Sequence, residues 1–129
     1  MIEGINHITL TVSDLPRSLA FYERLGLRRR MTSPRSAYLE AGSLWLCLVK
    51  GDAIPAQDYS HIALHVAPAQ FDTMAQRLAD LPSWQENTSP GKSLYIQDPD
   101  GHKLELHAGT LEERLGALSR DPRPDRQIT

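Results

Sequence analysis

Cysteine is almost absent from this chain. Of 129 residues only Cys47 carries a thiol, so no disulfide can close within the chain and no Cys-based zinc knuckle is available. Any metal site must draw on His and carboxylate. An excess of one charge is also lacking. Fourteen Lys and Arg face sixteen Asp and Glu, a formal net charge of -2, which excludes a protein that holds nucleic acid by bulk positive charge. The longest apolar stretch, 44–49, falls far short of the ~18 residues of a membrane span. Met1-Ile2-Glu3-Gly4 lacks the basic-then-apolar layout of a secretory signal, so a cytoplasmic protein is expected. The remaining composition, 40% hydrophobic and 23% charged, suits one buried core, and the length suits a single domain over 1–129.

What is present is a repeat. Asn6-His7-Ile8-Thr9-Leu10-Thr11-Val12 alternates polar and aliphatic residues with the period of a strand, and Ser60-His61-Ile62-Ala63-Leu64-His65-Val66 restates it as His-Ile-x-Leu-x-Val. Each copy leads into a helical stretch. Asp14 caps one at 15–25, with Pro16 in its first turn and Gly26 as its stop. Pro68 opens the other, where Phe71, Met74, Ala75 and Leu78 recur at helical spacing before Pro82. Short strands follow in both halves, at 27–31, 36–41 and 43–49, then at 84–87, 93–97 and 102–107, with Asp98-Pro99-Asp100-Gly101 as a strong turn. The prediction is an α+β fold of two β-α-β-β-β modules, about 4–50 and 58–108, and a C-terminal helix and tail over 110–129.

Strand alternation places His7 with Thr9 and Thr11, His61 with Ala63 and His65, and Glu105 with Lys103 and His107. A His at a strand start is more often a hydrogen-bonded, half-buried residue than a ligand. Two at matching places of a repeat, with a Glu inside an otherwise aliphatic strand end, favour metal. His7, His61 and Glu105 are therefore the candidate ligands of one divalent cation with open coordination positions. His107 reads as a support behind Glu105, and His65 and His102 as structural or solvated. Counting from the turn glycines sets Leu46 against Glu105, so the fourth carboxylate of a symmetric site is missing. Substrate oxygens can then reach the metal, which favours Lewis-acid chemistry. Cys47 has no neighbouring base or helix N-terminus and reads as structural.

With these residues in place, the chain resembles the vicinal-oxygen-chelate superfamily of glyoxalase-like proteins, and within it the fosfomycin-resistance thiol transferases, from Met1 to about Arg120. The motifs that carry the resemblance are Asn6-His7-Ile8-Thr9-Leu10, Phe21-Tyr22, Tyr38-Leu39-Glu40, Gly42-Ser43-Leu44-Trp45-Leu46-Cys47-Leu48, Asp58-Tyr59-Ser60-His61, and Tyr95 with Asp98-Pro99-Asp100-Gly101-His102-Lys103-Leu104-Glu105-Leu106-His107. The resemblance implies a homodimer whose paired modules form cupped mixed sheets and are exchanged between chains. It implies a metal, usually manganese (with zinc, iron and magnesium as alternatives), held by His7 from the partner chain with His61 and Glu105. It implies that a glutathione thiolate opens the epoxide of fosfomycin and so confers antibiotic resistance. Thr9, Tyr95 and Arg114 match residues near the reacting oxygen and the phosphonate. Trp45, Ser89 and Ser93 complete the substrate set. Asn87, Ser89, Gly91 and Ser93 match a loop that holds a potassium ion. No nucleic-acid or membrane partner is implied.

The sequence also departs from that pattern. The glutathione branch usually has a lysine reaching the phosphonate where this chain has Gln85, and losing that charge weakens substrate binding; Lys92 is nearby in sequence. The segment 105–115 looks like the hydrolase branch, which adds water to fosfomycin and needs a glutamate base where this chain has Ser36. Glu40 belongs to a motif shared with the glutathione branch, so transferase is the better reading. An extradiol dioxygenase on iron and a metal-free drug-sequestering protein are the rival classes. The first generally needs four modules and an extra pocket His. The second predicts a purified protein without metal.

Overall fold

Every residue except Ser89, Pro90, Pro122 and Pro124 is described by the computed structural model. The chain forms two compact units, 1–59 together with 98–102, and 60–97 together with 103–129. The first holds β1 (Ile8–Val12), α1 (Leu15–Arg24), β2 (Arg28–Thr32), β3 (Ser36–Ala41) and β4 (Leu44–Lys50). The second holds β5 (Ile62–His65), α2 (Pro68–Arg77), β6 (Ser83–Gln85), β7 (Lys92–Gln97), β8 (Lys103–Ala108) and α3 (Leu111–Ser119). The sheets are four-stranded and mixed, in the orders β1-β4-β3-β2 and β5-β8-β7-β6, with the first neighbours parallel and the rest antiparallel. This is the α+β fold that the repeat predicts.

Local chemistry explains the boundaries. Asp14 has extended backbone and accepts from the amide of Arg17, Pro16 sits in the first turn, and Gly26 beyond the helix takes a φ of 102° that a side chain would resist. The helix buries Leu15, Leu19, Phe21 and Tyr22. Strand β2 opens with three exposed arginines, and such a charged edge discourages pairing with another strand. Helix α2 ends at Arg77, short of the proline at 82, because the chain turns at 78–81 instead. Helix α3 is capped by Thr110, which accepts from the amide of Glu113, and none of its residues is buried. Among the described residues no helix is long and apolar enough to cross a membrane.

Two sequence expectations are corrected by the ladders. The strands at 6–12 and 60–66 begin later, at Ile8 and Ile62, so His7 and His61 lie just outside them. The correspondence of Leu46 with Glu105 also fails. Ile8 pairs with Leu46 and Ile62 with Leu104, so the first-half counterpart of Glu105 is Cys47, which pairs with Thr9 and Tyr38 as Glu105 pairs with Ala63 and Tyr95. Leu46 faces the core and is 3% exposed. Counting from glycines misleads because Gly42 opens a two-residue turn between Ala41 and Leu44, whereas Gly101 stands late in the longer loop between Gln97 and Lys103. The place facing Thr9 still lacks a carboxylate.

The turn at 98–102 packs as part of the first unit. Asp98 is 4% exposed and accepts from the Tyr22 hydroxyl at 2.9 Å and from the amides of Asp100 and His102 at 3.0 and 2.8 Å. The His102 ring lies 2.7 Å from the carbonyl of Thr11, which gives it the structural place expected. Burial first, and then the Asp98 carboxylate, push the Tyr22 phenol well above its ordinary value. A group whose proton is held more tightly in the folded state contributes fully below its unfolded value near ~10, and that contribution is lost as pH rises above it. Wild-type stability, measured by urea unfolding, is expected to fall above pH ~10 with an added slope of up to about 1.4 kcal/mol per pH unit from this group. Tyr22→Phe removes that component, and an unchanged alkaline slope in the variant overturns the assignment.

Candidate metal centre and substrate site

In the second unit, β8 and β7 carry alternate residues to the two faces of the sheet. Leu104, Leu106 and Ile96 are buried on one. Glu105, His107, Ser93 and Tyr95 share the other, since Glu105 pairs with Tyr95 and His107 with Ser93. His61, at the entry to β5, brings Nε2 to 2.9 Å from Glu105 Oε1, and the two side chains are only 18% and 12% exposed. Two donors each ~2.1 Å from one cation at a right angle stand about 3 Å apart, so this pair fits a divalent metal without rearrangement. Imidazole nitrogen with carboxylate oxygen suits manganese, iron or zinc. Among the described residues no three His, Cys, Asp or Glu side chains gather as a metal-binding group, so the second unit offers two ligands.

Trp84 is a member of this site that the sequence analysis did not single out. Its ring lies 5.2 Å from His61 and 5.1 Å from Tyr95, edge-on to the latter, and its indole N–H donates to the carbonyl of Leu104 at 3.0 Å. The signal available was a large aromatic beside Gln85 in a short strand that is otherwise polar. Ser93 donates to Glu105 Oε2 at 2.7 Å and lies 2.7 Å from His107 Nδ1. In the loop matched to potassium binding, the Asn87 amide donates to the Gly91 carbonyl at 2.7 Å, and Ser89 lies outside the described residues. Gln85 pairs with Tyr95 and so shares the row of Glu105. Lys92 does not replace the missing lysine. Its ammonium bonds Asp72 of α2 at 2.9 Å, on the opposite face from Ser93. Arg114 is exposed on α3, and its guanidinium makes no hydrogen bond or ion pair among the described residues.

In the first unit His7 is exposed, with its ring 4.5 Å from Trp45, which in turn meets Tyr38 edge-on at 5.4 Å. His7 Nδ1 lies 2.7 Å from the Asn6 side-chain oxygen. An acceptor there places the proton on Nδ1 and leaves Nε2 as the ring nitrogen whose lone pair can bind a metal. Thr9 is exposed in the row of Cys47 and Tyr38, and Cys47 is buried. Glu40 accepts from Arg28 at 2.7 Å and Arg30 at 2.9 Å, and these hydrogen bonds hold its carboxyl below the usual carboxylate range. Ser36 hydrogen-bonds Ser33 across the β2–β3 turn.

Both sheets have the same strand order, with a His at the entry to the first strand of each and a Glu on the last strand of the second. A model of the Glyoxalase/Bleomycin resistance protein/Dioxygenase superfamily matches residues 4–106, and the chain belongs to that superfamily. Within it the chain belongs with the fosfomycin resistance proteins. It is 45% identical over 130 residues to the glutathione transferase FosA of Serratia marcescens, covering 95% of this chain and 92% of the relative. Identity to the metallothiol transferase FosB of Lysinibacillus sphaericus is 39%, over 88% of each. A solved structure of FosX from Listeria monocytogenes, a mutant complexed with Mn(II) and 1S,2S-dihydroxypropylphosphonic acid, superposes with a TM-score of 0.79 at 33% identity, covering 89% of this chain and 99% of that one.

Proposed function

We propose that this chain is a metal-dependent thiol transferase that opens the epoxide of fosfomycin, and that it works as a homodimer in which His7 of one copy joins His61 and Glu105 of the other. The observation that carries the reading is the His61–Glu105 pair, two ligand types at a ligand-to-ligand spacing. The His7 tautomer supports a third ligand. A bound divalent cation would supply Lewis-acid stabilisation of the oxygen released from the epoxide. The protein's own part is positioning. Thr9 is a hydroxyl donor for developing charge, and Arg114, exposed on α3, is a fork for the phosphonate. The thiolate sulfur forms a bond to an epoxide carbon, the carbon–oxygen bond breaks, and the released oxygen takes a proton.

The state of Glu40 supports a thiol over water as nucleophile. Water needs a base, and Glu40, the carboxylate on the same strand as Ser36, is held by two arginines and is a poor one. A thiol ionises unaided far more readily. Fosfomycin loss in the presence of Mn(II) is therefore expected to depend on added glutathione or another low-molecular-weight thiol. Gln85→Lys, which places a cation in the row of Tyr95 and Glu105, is expected to lower KM for fosfomycin by about tenfold, an effect of ~1.4 kcal/mol for one more charge-assisted contact. Equal turnover without thiol overturns the transferase reading in favour of hydrolysis. No turnover with any thiol, in wild type and Gln85→Lys alike, overturns the substrate.

A further inference from the structure

Behind Glu105 the second unit holds a chain of short contacts that metal ligation alone does not require. The Ser93 hydroxyl lies 2.7 Å from Glu105 Oε2 and 2.7 Å from His107 Nδ1, while His107 Nδ1 and Glu105 Oε2 are 3.3 Å apart. Ser93 has one proton to give. A carboxylate can only accept, so that proton goes to Glu105, and the nitrogen facing Ser93 must then be the donor. The order is His107 Nδ1–H to Ser93 Oγ, and Ser93 O–H to Glu105 Oε2. The other carboxylate oxygen is left to face His61.

The glycines around this ring point the same way. A Cβ at residue 109 would stand 2.7 Å from His107 Nε2, and one at residue 91 would stand 3.1 Å from His107 Cε1. Neither Gly91 nor Gly109 has a positive φ, unlike Gly26, Gly42 and Gly101, so the backbone does not demand glycine at either place. The space is taken by the imidazole. We infer that His107 is a positioning residue: through Ser93 it fixes the orientation of the Glu105 carboxylate, and Gly91 and Gly109 lack side chains so that its ring can lie there. Ser93 then belongs to this relay, its proton committed to Glu105, and is not a free donor to a phosphonate. The inference rests on the reading of Glu105 as a metal ligand.

Residues that orient a ligating carboxylate typically change metal affinity ten- to a hundredfold when lost. The test is Mn(II) titration of the purified full-length protein, followed by the electron paramagnetic resonance of the free ion, with circular dichroism to confirm folding. His107→Leu, which keeps bulk and removes the donor, is expected to weaken Mn(II) binding at least about tenfold. Gly109→Ala changes no polar atom yet displaces the ring, and is expected to weaken it in the same direction. His107→Asn, whose amide N–H takes the place of Nδ1–H, is expected to stay within about threefold of wild type. Wild-type affinity in folded His107→Leu or Gly109→Ala overturns the inference and leaves the metal reading standing. So does His107→Asn as weak as His107→Leu. Should His107→Leu fail to fold, Gly109→Ala and His107→Asn decide the matter between them. A wild-type protein that binds no Mn(II) overturns the metal reading itself, and this inference with it.

Discussion

Glu105→Gln is expected to purify as a folded protein without bound divalent metal and to lose turnover of fosfomycin by roughly a thousandfold or more. The change is nearly isosteric. An amide oxygen still accepts from the Ser93 hydroxyl, and the amide nitrogen can donate toward His61, so the fold has little reason to suffer. What disappears is the anionic ligand. A Lewis-acid contact contributes several kcal/mol to a transition state that develops oxyanion charge, and each ~1.36 kcal/mol is tenfold in rate. His61→Ala is expected to behave alike, since it leaves Glu105 without its 2.9 Å partner. The measurements are metal content by plasma emission and thiol-dependent loss of fosfomycin. Wild-type metal content and rate in Glu105→Gln would show that Glu105 is not a metal ligand.

The largest effect on stability is expected away from the metal. Asp98→Ala deletes one buried carboxylate that serves three donors, the Tyr22 hydroxyl and the amides of Asp100 and His102. Hydrogen bonds to a charged group contribute about 1.5–3 kcal/mol each, and a buried donor left unpaired costs ~1–3 kcal/mol. These terms overlap, and relaxation at the surface side of the turn recovers part, so a loss on the order of 3–5 kcal/mol is expected. Asp98→Asn keeps an acceptor oxygen and should lose about half as much. Equilibrium urea unfolding checks both, and a cost for Asp98→Ala below about 1 kcal/mol would show that the turn is held by something else.

The two predictions draw on different levels of the chain. The candidate ligands were legible because His7 and His61 occupy the same place in a repeated pattern, and a Glu interrupts an aliphatic strand end; the structure brings two of them, His61 and Glu105, to 2.9 Å. Periodicity carries that information, since a strand displays alternate residues on opposite faces whatever its partners are. The register between strands was not legible. It depends on turn length, and the two-residue turn at Gly42 and Ser43 shifts β4 against β3 in a way that the five-residue turn at 98–102 does not repeat. That shift makes Cys47, not Leu46, the counterpart of Glu105.

By itself the sequence determined the α+β class, the order of elements, the caps of α1 and the pairing of His with carboxylate. These follow from local propensity and from one-dimensional spacing, which the chain carries before it folds. Only the tertiary structure decided that Trp84 lies against His61, that Lys92 is turned to Asp72, that two arginines hold Glu40, and that the turn at 98–102 is tied to Tyr22. It also decided that the His107 ring takes the space beside Gly91 and Gly109. Each of these joins residues on different elements or loops, most of them more than ten positions apart. Which of them meet is set by how strands align and sheets cover helices, and no spacing along the chain encodes that.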